Sequence, residues 1–390
     1  MSHHAISQHH PHIKYLDHKE LDALYWSVFI KGLGDSFISV FTAIYLLTLG
    51  FSLQSVGIYY ILYFAVSGII LPYLSMRLGH QWGVKKTLAL GIFVLIIYYA
   101  MLGFLKYGLP YQIVGIIYGI GASLYYSAFQ LDLARAIRTR SSGRSLSNVK
   151  IFSILASVIG PVIGALFIIK MSFVFLFLIV IAISALSTVP LMQRGDYTIK
   201  ERMPSPLESI RAGNKRKGWM YFLFGITESA VDILWPVFIF VHYPNLLSIG
   251  GIVSITSLIL LFIIYFLGKM ADRNSLRAYR TGVLTHAPTW ILRLVWITPG
   301  GLLMGNLLGS ATSSLVAITV DQTMYRDAKD SSSSTASLLF RSYSAGVGRI
   351  LILFVAILLN SSTALFIVVA ALTLLQLLTS PYKNISHANS

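Results

Sequence analysis

The segment FIKGLGDS, Phe29–Ser36, returns 193 residues later as FLFGITES, Phe222–Ser229, with a phenylalanine, a glycine, an acid and a serine at matching places. The same shift lays Asp35 over Glu228 and Ser39 over Asp232. Each copy plants a carboxylate inside a stretch that is otherwise apolar. A duplicated opening of this kind predicts two related halves, and the rest of the chain can be divided outward from it.

Apolar runs of roughly 18 to 25 residues are long enough to cross a hydrocarbon core about 30 Å thick. Such runs begin near Leu24, Gln54, Thr87, Pro110, Ile151 and Ser172, and again near Trp219, Ser248, Thr281, Gly301, Thr335 and Thr363. The predicted fold is an all-α integral membrane protein: twelve transmembrane helices in two pseudo-symmetric six-helix halves. The expected division is a cytoplasmic His-rich tail (1–21), an N-terminal half (22–192), a cytoplasmic linker (193–217), a C-terminal half (218–380) and a cytoplasmic tail (381–390). Composition agrees, since 56% hydrophobic residues against 11% charged and a mean hydropathy of +0.73 depart from the balance of soluble domains. The polar tail contains no short apolar run of signal-peptide type.

Lys and Arg set orientation loop by loop. Of the 30, 24 fall in the N-terminal tail, the even-to-odd loops and the C-terminus, while only Lys106 and Lys170 fall on the other side. Lys31, Arg293, Arg341 and Arg349 lie within spans. Both termini are therefore expected in the cytoplasm of a multi-pass protein of the plasma (cytoplasmic) membrane. The net charge of +16 then reflects topology and contact with anionic lipid, and no nucleic-acid partner is expected. With no cysteine, disulfides and thiol chemistry are excluded. Six of the ten histidines crowd the N-terminal tail, but their irregular spacing defines no metal site. No H-E-x-x-H, G-x-S-x-G or Walker loop occurs, so neither catalytic residues nor a cofactor are predicted, and an ATP-driven pump is disfavoured.

After the eighth span the chain reads GKMADRNSLR, Gly268–Arg277. This resembles the loop signature G-x-x-x-D-R-x-G-R-K of the major facilitator superfamily, with Gly268, Asp272 and Arg273 in place. The loop after span two, LGHQWGVKK, keeps Gly83, Lys85 and Lys86 but has His80 where the acid belongs. Span five supplies GPVIGA, whose Gly160, Pro161 and Gly164 are similar to a motif that this superfamily associates with antiporters. Span four has GIGAS, Gly119–Ser123, with Gly115 where the family would have a buried arginine. Each match also has a packing reading, because glycines four apart let membrane helices approach closely.

The acids carry the chemistry. At 1.5 Å per residue, Asp35 lies roughly 17 Å into span one, near the bilayer centre. Lys31, four residues earlier, is expected to snorkel to the interface, to pair with Asp35, or both. A central carboxylate needs a partner, a cavity or a proton. Span seven puts Glu228 and Asp232 on one face without a basic residue in that helix, so the pair is expected to hold a proton near neutral pH. The competing expectation is a structural ion pair with Arg349 or Arg293. Arg341 is expected to snorkel to the cytoplasmic face. Gln130 in span four and Asn306 in span ten line the expected path, with Tyr125, Tyr126 and Trp235 as cavity aromatics. Glu228 ranks first as the coupling acid and Asp35 second.

The resemblance implies a secondary active transporter acting on a small-molecule substrate as a monomer, not an enzyme. Protons are the implied coupling ion, and proton-coupled efflux of a small amphipathic or cationic compound is the leading expectation, of the drug:proton antiporter type. Proton-coupled nutrient uptake and a non-transporting receptor or scaffold of the same fold are the alternatives.

Overall fold

The computed structural model describes residues 18–139, 142–192, 195–199, 201–330, 333–359 and 361–379; the histidines of the tail before residue 18 lie outside them. Twelve rods follow one another: α1 (His18–Thr48), α2 (Leu53–Ile70), α3 (Val84–Tyr107), α4 (Tyr111–Thr139), α5 (Ser142–Lys170) and α6 (Phe173–Met192). The second six are α7 (Lys215–His242), α8 (Leu246–Arg273), α9 (Ser275–Val295), α10 (Pro299–Asp330), α11 (Ser334–Leu359) and α12 (Ser362–Thr379). Among the described residues there is no strand, and 11 segments are long and apolar enough to cross a membrane. The remaining rod, α9, has 21 residues, but Arg277, Arg280, His286 and Arg293 dilute its apolar character.

Side chains start these helices where the loops end. Ser52, Ser172, Asn214, Asn245, Asn274 and Ser361 each accept a hydrogen bond from a backbone N–H of the first turn, satisfying donors that the helix itself leaves free. Two rods carry a π-helical turn, Ala65–Ile70 in α2 and Ala230–Leu234 in α7. Pro72 follows the first and Pro236 the second. A proline lacks the N–H that would bond the carbonyl four residues back, and the backbone widens before each: Leu71 N–H reaches Val66 O at 3.0 Å, and Trp235 N–H reaches Ala230 O.

Packing repeats between the halves. α1 lies on α5 as α7 lies on α11, α3 on α4 as α9 on α10, α2 on α4 as α8 on α10, and α3 on α6 as α9 on α12. The halves meet through α5 on α8 and α2 on α11, a pair of interfaces also related by a shift of six helices. Lipid gives helices little hydrophobic reason to associate, so close backbone approach matters. A Cβ on Gly160 or Gly164 of α5 would overlap Ser36 or the Phe37 carbonyl of α1, and one on Gly250 of α8 would lie 2.5 Å from Pro161 O. Val162 N–H donates to Ser254 Oγ of α8 at 3.2 Å, so the other half supplies a hydroxyl where Pro161 interrupts α5.

On the linker side, residues 195–212 tie both halves together. Gly83 has φ +127° and a side chain there would overlap the Asp196 carboxylate. Asp196 accepts from Lys85 N at 2.9 Å and Lys86 N at 3.3 Å, while Lys85 Nζ donates to Gly195 O at 3.0 Å. A carboxylate at a helix N-terminus is favoured by the helix dipole, so Asp196 contributes from the linker an acid at the loop whose own acidic position holds His80. Tyr197 donates to Asp132 at 2.7 Å beneath the Arg135 guanidinium. Further on, the helix Pro206–Ala212, opened by a Ser205–Glu208 capping box, packs on α11. His80 Nε2 and Thr335 Oγ1, from opposite halves, lie 2.9 Å apart.

The second loop signature is arranged differently. Asp272 accepts from Gln322 Nε2 at 2.8 Å, an amide in its own half. Arg273 is exposed, and a side chain at Gly268 would meet nothing within 4 Å.

Candidate functional site

A cavity of about 610 Å³ lies between the halves, with wall residues from α1, α2, α4, α7, α8, α10 and α11. Its N-half wall is aromatic and hydroxylic: Tyr60, Tyr63, Tyr118 and Tyr126 beside Ser39 and Thr42. The rings brace one another, Tyr63 stacking on Tyr118 at 4.1 Å and Tyr118 on Tyr98 at 4.3 Å, which holds the wall rigid. The C-half wall carries the charge: Glu228, Asp232 and Arg349, with Asn306 nearby.

Glu228 is paired with Arg349 of α11, whose guanidinium also sits 5.3 Å above the Phe64 ring. Of the two arginines proposed as partners of the span-seven acids, Arg349 pairs with Glu228 and Arg293 with neither acid. Asp232 is the exception among the central carboxylates. It stands in the π-helical turn of α7, lines the cavity and is exposed to it; among the described residues no cation or donor lies within ion-pair or hydrogen-bond distance of it, and Arg349 acts on it only electrostatically, from its pair with Glu228. With Glu228 paired to Arg349, Asp232 is left as the cavity carboxylate without a direct partner.

Asp35 is held elsewhere. Lys31 pairs with it and Tyr99 donates to it at 2.7 Å, outside the cavity wall. Lys31 is 1% exposed, with the Tyr125 ring 5.4 Å away; of the two fates expected for it, pairing is the one observed and snorkelling is not. Tyr125 consequently faces this pair, while Tyr126 and Trp235 line the cavity. Arg341 bonds Asp321 at 2.9 Å and borders the cavity. Gln130 also borders it, its carbonyl oxygen without a partner. Asn306 is engaged through both amide atoms, accepting from Trp235 Nε1 and donating to Thr256 Oγ1, both at 2.9 Å.

Arg293 lies in the last turn of α9, 1% exposed. Its guanidinium is sandwiched between the Trp235 and Trp290 rings at 4.4 and 4.3 Å. Sequence placed Asp35 and Glu228 as equivalents, but their partners come from different places: Lys31 from the same helix, Arg349 from 121 residues away. Among the described residues no cluster of His, Asp or Glu is arranged to hold a metal.

Geometry of this kind provides a polar, charged chamber of small-molecule size between two halves whose contacts include proline and glycine. Solved structures with the same architecture include the human organic anion transporter MFSD10 (TETRAN), with TM-score 0.68 and 13% identity over 93% of this chain and 98% of that one. A mutant of the nucleoside transporter NupG gives TM-score 0.70 and 13% identity over 92% and 98%. At such identity the likeness is one of fold. No curated protein matches the sequence. The sequence profile of the Major Facilitator Superfamily matches residues 24–353, and the chain belongs to that family of membrane transporters.

Proposed function

We propose that this transporter is proton-coupled and exports a small amphipathic compound bearing a cationic group, with Asp232 as the acid that exchanges the proton. The observation that carries the reading is the unpaired, cavity-facing carboxylate of Asp232 beside a neutralised Glu228–Arg349 pair. A carboxyl that alternates between a wet cavity and a dry contact changes its proton affinity, capturing a proton on one side and releasing it on the other. A cationic substrate group is drawn to the same carboxylate, so substrate and proton compete for it and the carrier exchanges one for the other. The tyrosine wall offers π-faces to the cation and its apolar body. Glu228, ranked first on sequence alone, yields that place because it is already engaged by Arg349; Asp35 is likewise engaged by Lys31 and Tyr99.

The orientation has both termini in the cytoplasm of the plasma membrane, and the monomer contains the whole cavity. The organic anion and the nucleosides named for the two structural neighbours differ from one another and select neither class here. Purified protein in proteoliposomes under an imposed pH gradient tests the reading: cationic dyes should move against the proton, and lower pH inside should drive their uptake. No proton-linked flux of any cation across such a panel would remove it.

A further inference from the structure

Arg293 is the charge that the coupling scheme does not use. It is buried in α9 with its Nε–H on Gly305 O at 3.3 Å, and neither of its terminal nitrogens has a partner. No carboxylate pairs with it among the described residues. Trp290 Nε1, in the same slot, is also without a partner. A guanidinium enclosed by protein at membrane depth is costly without an anion. The slot nevertheless fits arginine: a Cβ on Gly309 of α10 would overlap the guanidinium, and one on Gly305 would lie 3.2 Å from Arg293 Cγ.

One indole separates this group from the cavity. Trp235 stacks on the guanidinium, lines the cavity and is tethered to Asn306. It is also the residue directly after the π-helical turn Ala230–Leu234 and directly before Pro236. A π-turn holds one residue more than an α-turn. Tightening this one to α-helix would rotate the following part of α7 by about 100° and carry Trp235 off the guanidinium. The free fork would then face the chamber in which Asp232, three residues before Trp235, already stands.

We propose that Arg293 is a specificity-determining residue that recognises a carboxylate or another planar oxyanion on the transported compound, uncovered when Trp235 swings away. The substrate class is then zwitterionic, its cationic group held by Asp232 and its anionic group by the guanidinium fork, which matches an oxyanion with two parallel N–H donors. The other arginines of the cavity are committed, Arg349 to Glu228 and Arg341 to Asp321.

The inference rests on the transport reading above, and the test separates the two. Three probes compete for uptake in proteoliposomes: an N-alkyl pyridinium dye, its carboxymethyl zwitterion, and the methyl ester of that zwitterion. The wild-type protein should prefer the zwitterion over the ester by about ten- to a hundred-fold, the loss on removing hydrogen bonds to a charged group. Arg293→Gln should abolish that preference, so that zwitterion and ester compete equally for uptake. Equal competition by zwitterion and ester in the wild type overturns the inference, and needs no variant to fold. A preference that survives in Arg293→Gln overturns it too, as does a wild type without preference in which Arg293→Gln shifts only the pH profile, since the guanidinium would then serve Asp232. If the wild type moves none of the three probes under a pH gradient, the transport reading falls and the inference with it.

Discussion

Alanine at Gly250 should act as a wedge between the halves. Its Cβ would sit 2.5 Å from Pro161 O and 3.1 Å from Ala165 Cβ, whereas non-bonded atoms rest at about 3.5 Å. The α5–α8 interface must therefore part by about 1 Å at this point. Adding a methyl to a filled contact costs about 1–3 kcal/mol. The two halves can escape that cost by separating on the face opposite the linker, so the same energy becomes a shift of about 5- to 150-fold in the populations of the two states. The chain has no cysteine, so Ser257→Cys on the cavity wall reports access without further changes. A membrane-impermeant maleimide should label it faster from the face opposite the linker in Gly250→Ala than in the parent. Gly164→Ala is the control, because its overlap is with Phe37 O of the same half: it should lower Tm and leave the sidedness of labelling alone. If Gly250→Ala behaves like this control, the interface is a fixed seam and the reasoning fails.

Three further outcomes are expected. Glu228→Gln strands the Arg349 guanidinium; both partners are partly exposed, at 31% and 22%, so the loss should be about 1–2 kcal/mol, read as a lower Tm in detergent and partly recovered by Arg349→Met in the double variant. Burial lowers the pKa of His80 against an opposing effect of Glu201, so the His80–Thr335 contact favours neutral imidazole. It should be intact at and above about pH 6.5, the ordinary imidazole value, and weaken only below it, as pH falls through the lowered pKa that burial gives His80; access to the cavity from the linker side should rise with acidity in that range in the wild type and be flat in His80→Gln. Topology reporters at Ser205 and at the C-terminus should be cytoplasmic and one after Leu246 external, and an external Ser205 would undo the orientation.

Local chemistry made much of this legible in advance. Apolar run length announced twelve spans; eleven of them are long and apolar enough to cross a membrane among the described residues, and the twelfth, begun near Thr281, is the helix that its arginines make less apolar. Lys31 and Asp35 were readable as a pair because four residues is one helical turn. Glu228 with Arg349 was not, since which of two distant arginines arrives depends on how α11 packs on α7. The π-turns left a trace in Pro72 and Pro236, yet a proline alone does not say whether a helix bends, breaks or widens. Asp196 and Tyr197 looked like ordinary polar linker, and only the fold brings them to the ends of α3 and α4. Arg293 read as a mid-span charge in search of an acid; three-dimensional packing instead gives it two indoles and no carboxylate.

The central claim is that Asp232 carries the exchanged proton, and it is tested most directly by Asp232→Asn with gradient-driven uptake measured beside substrate exchange at equal pH. Exchange should persist at raised substrate concentration, because the cavity and the moving interfaces are intact, while accumulation driven by the pH gradient should vanish and the pH dependence of transport should flatten. Glu228→Gln and Asp35→Asn should each retain some gradient-driven accumulation. Normal accumulation by Asp232→Asn, with its pH dependence unchanged, would contradict the assignment.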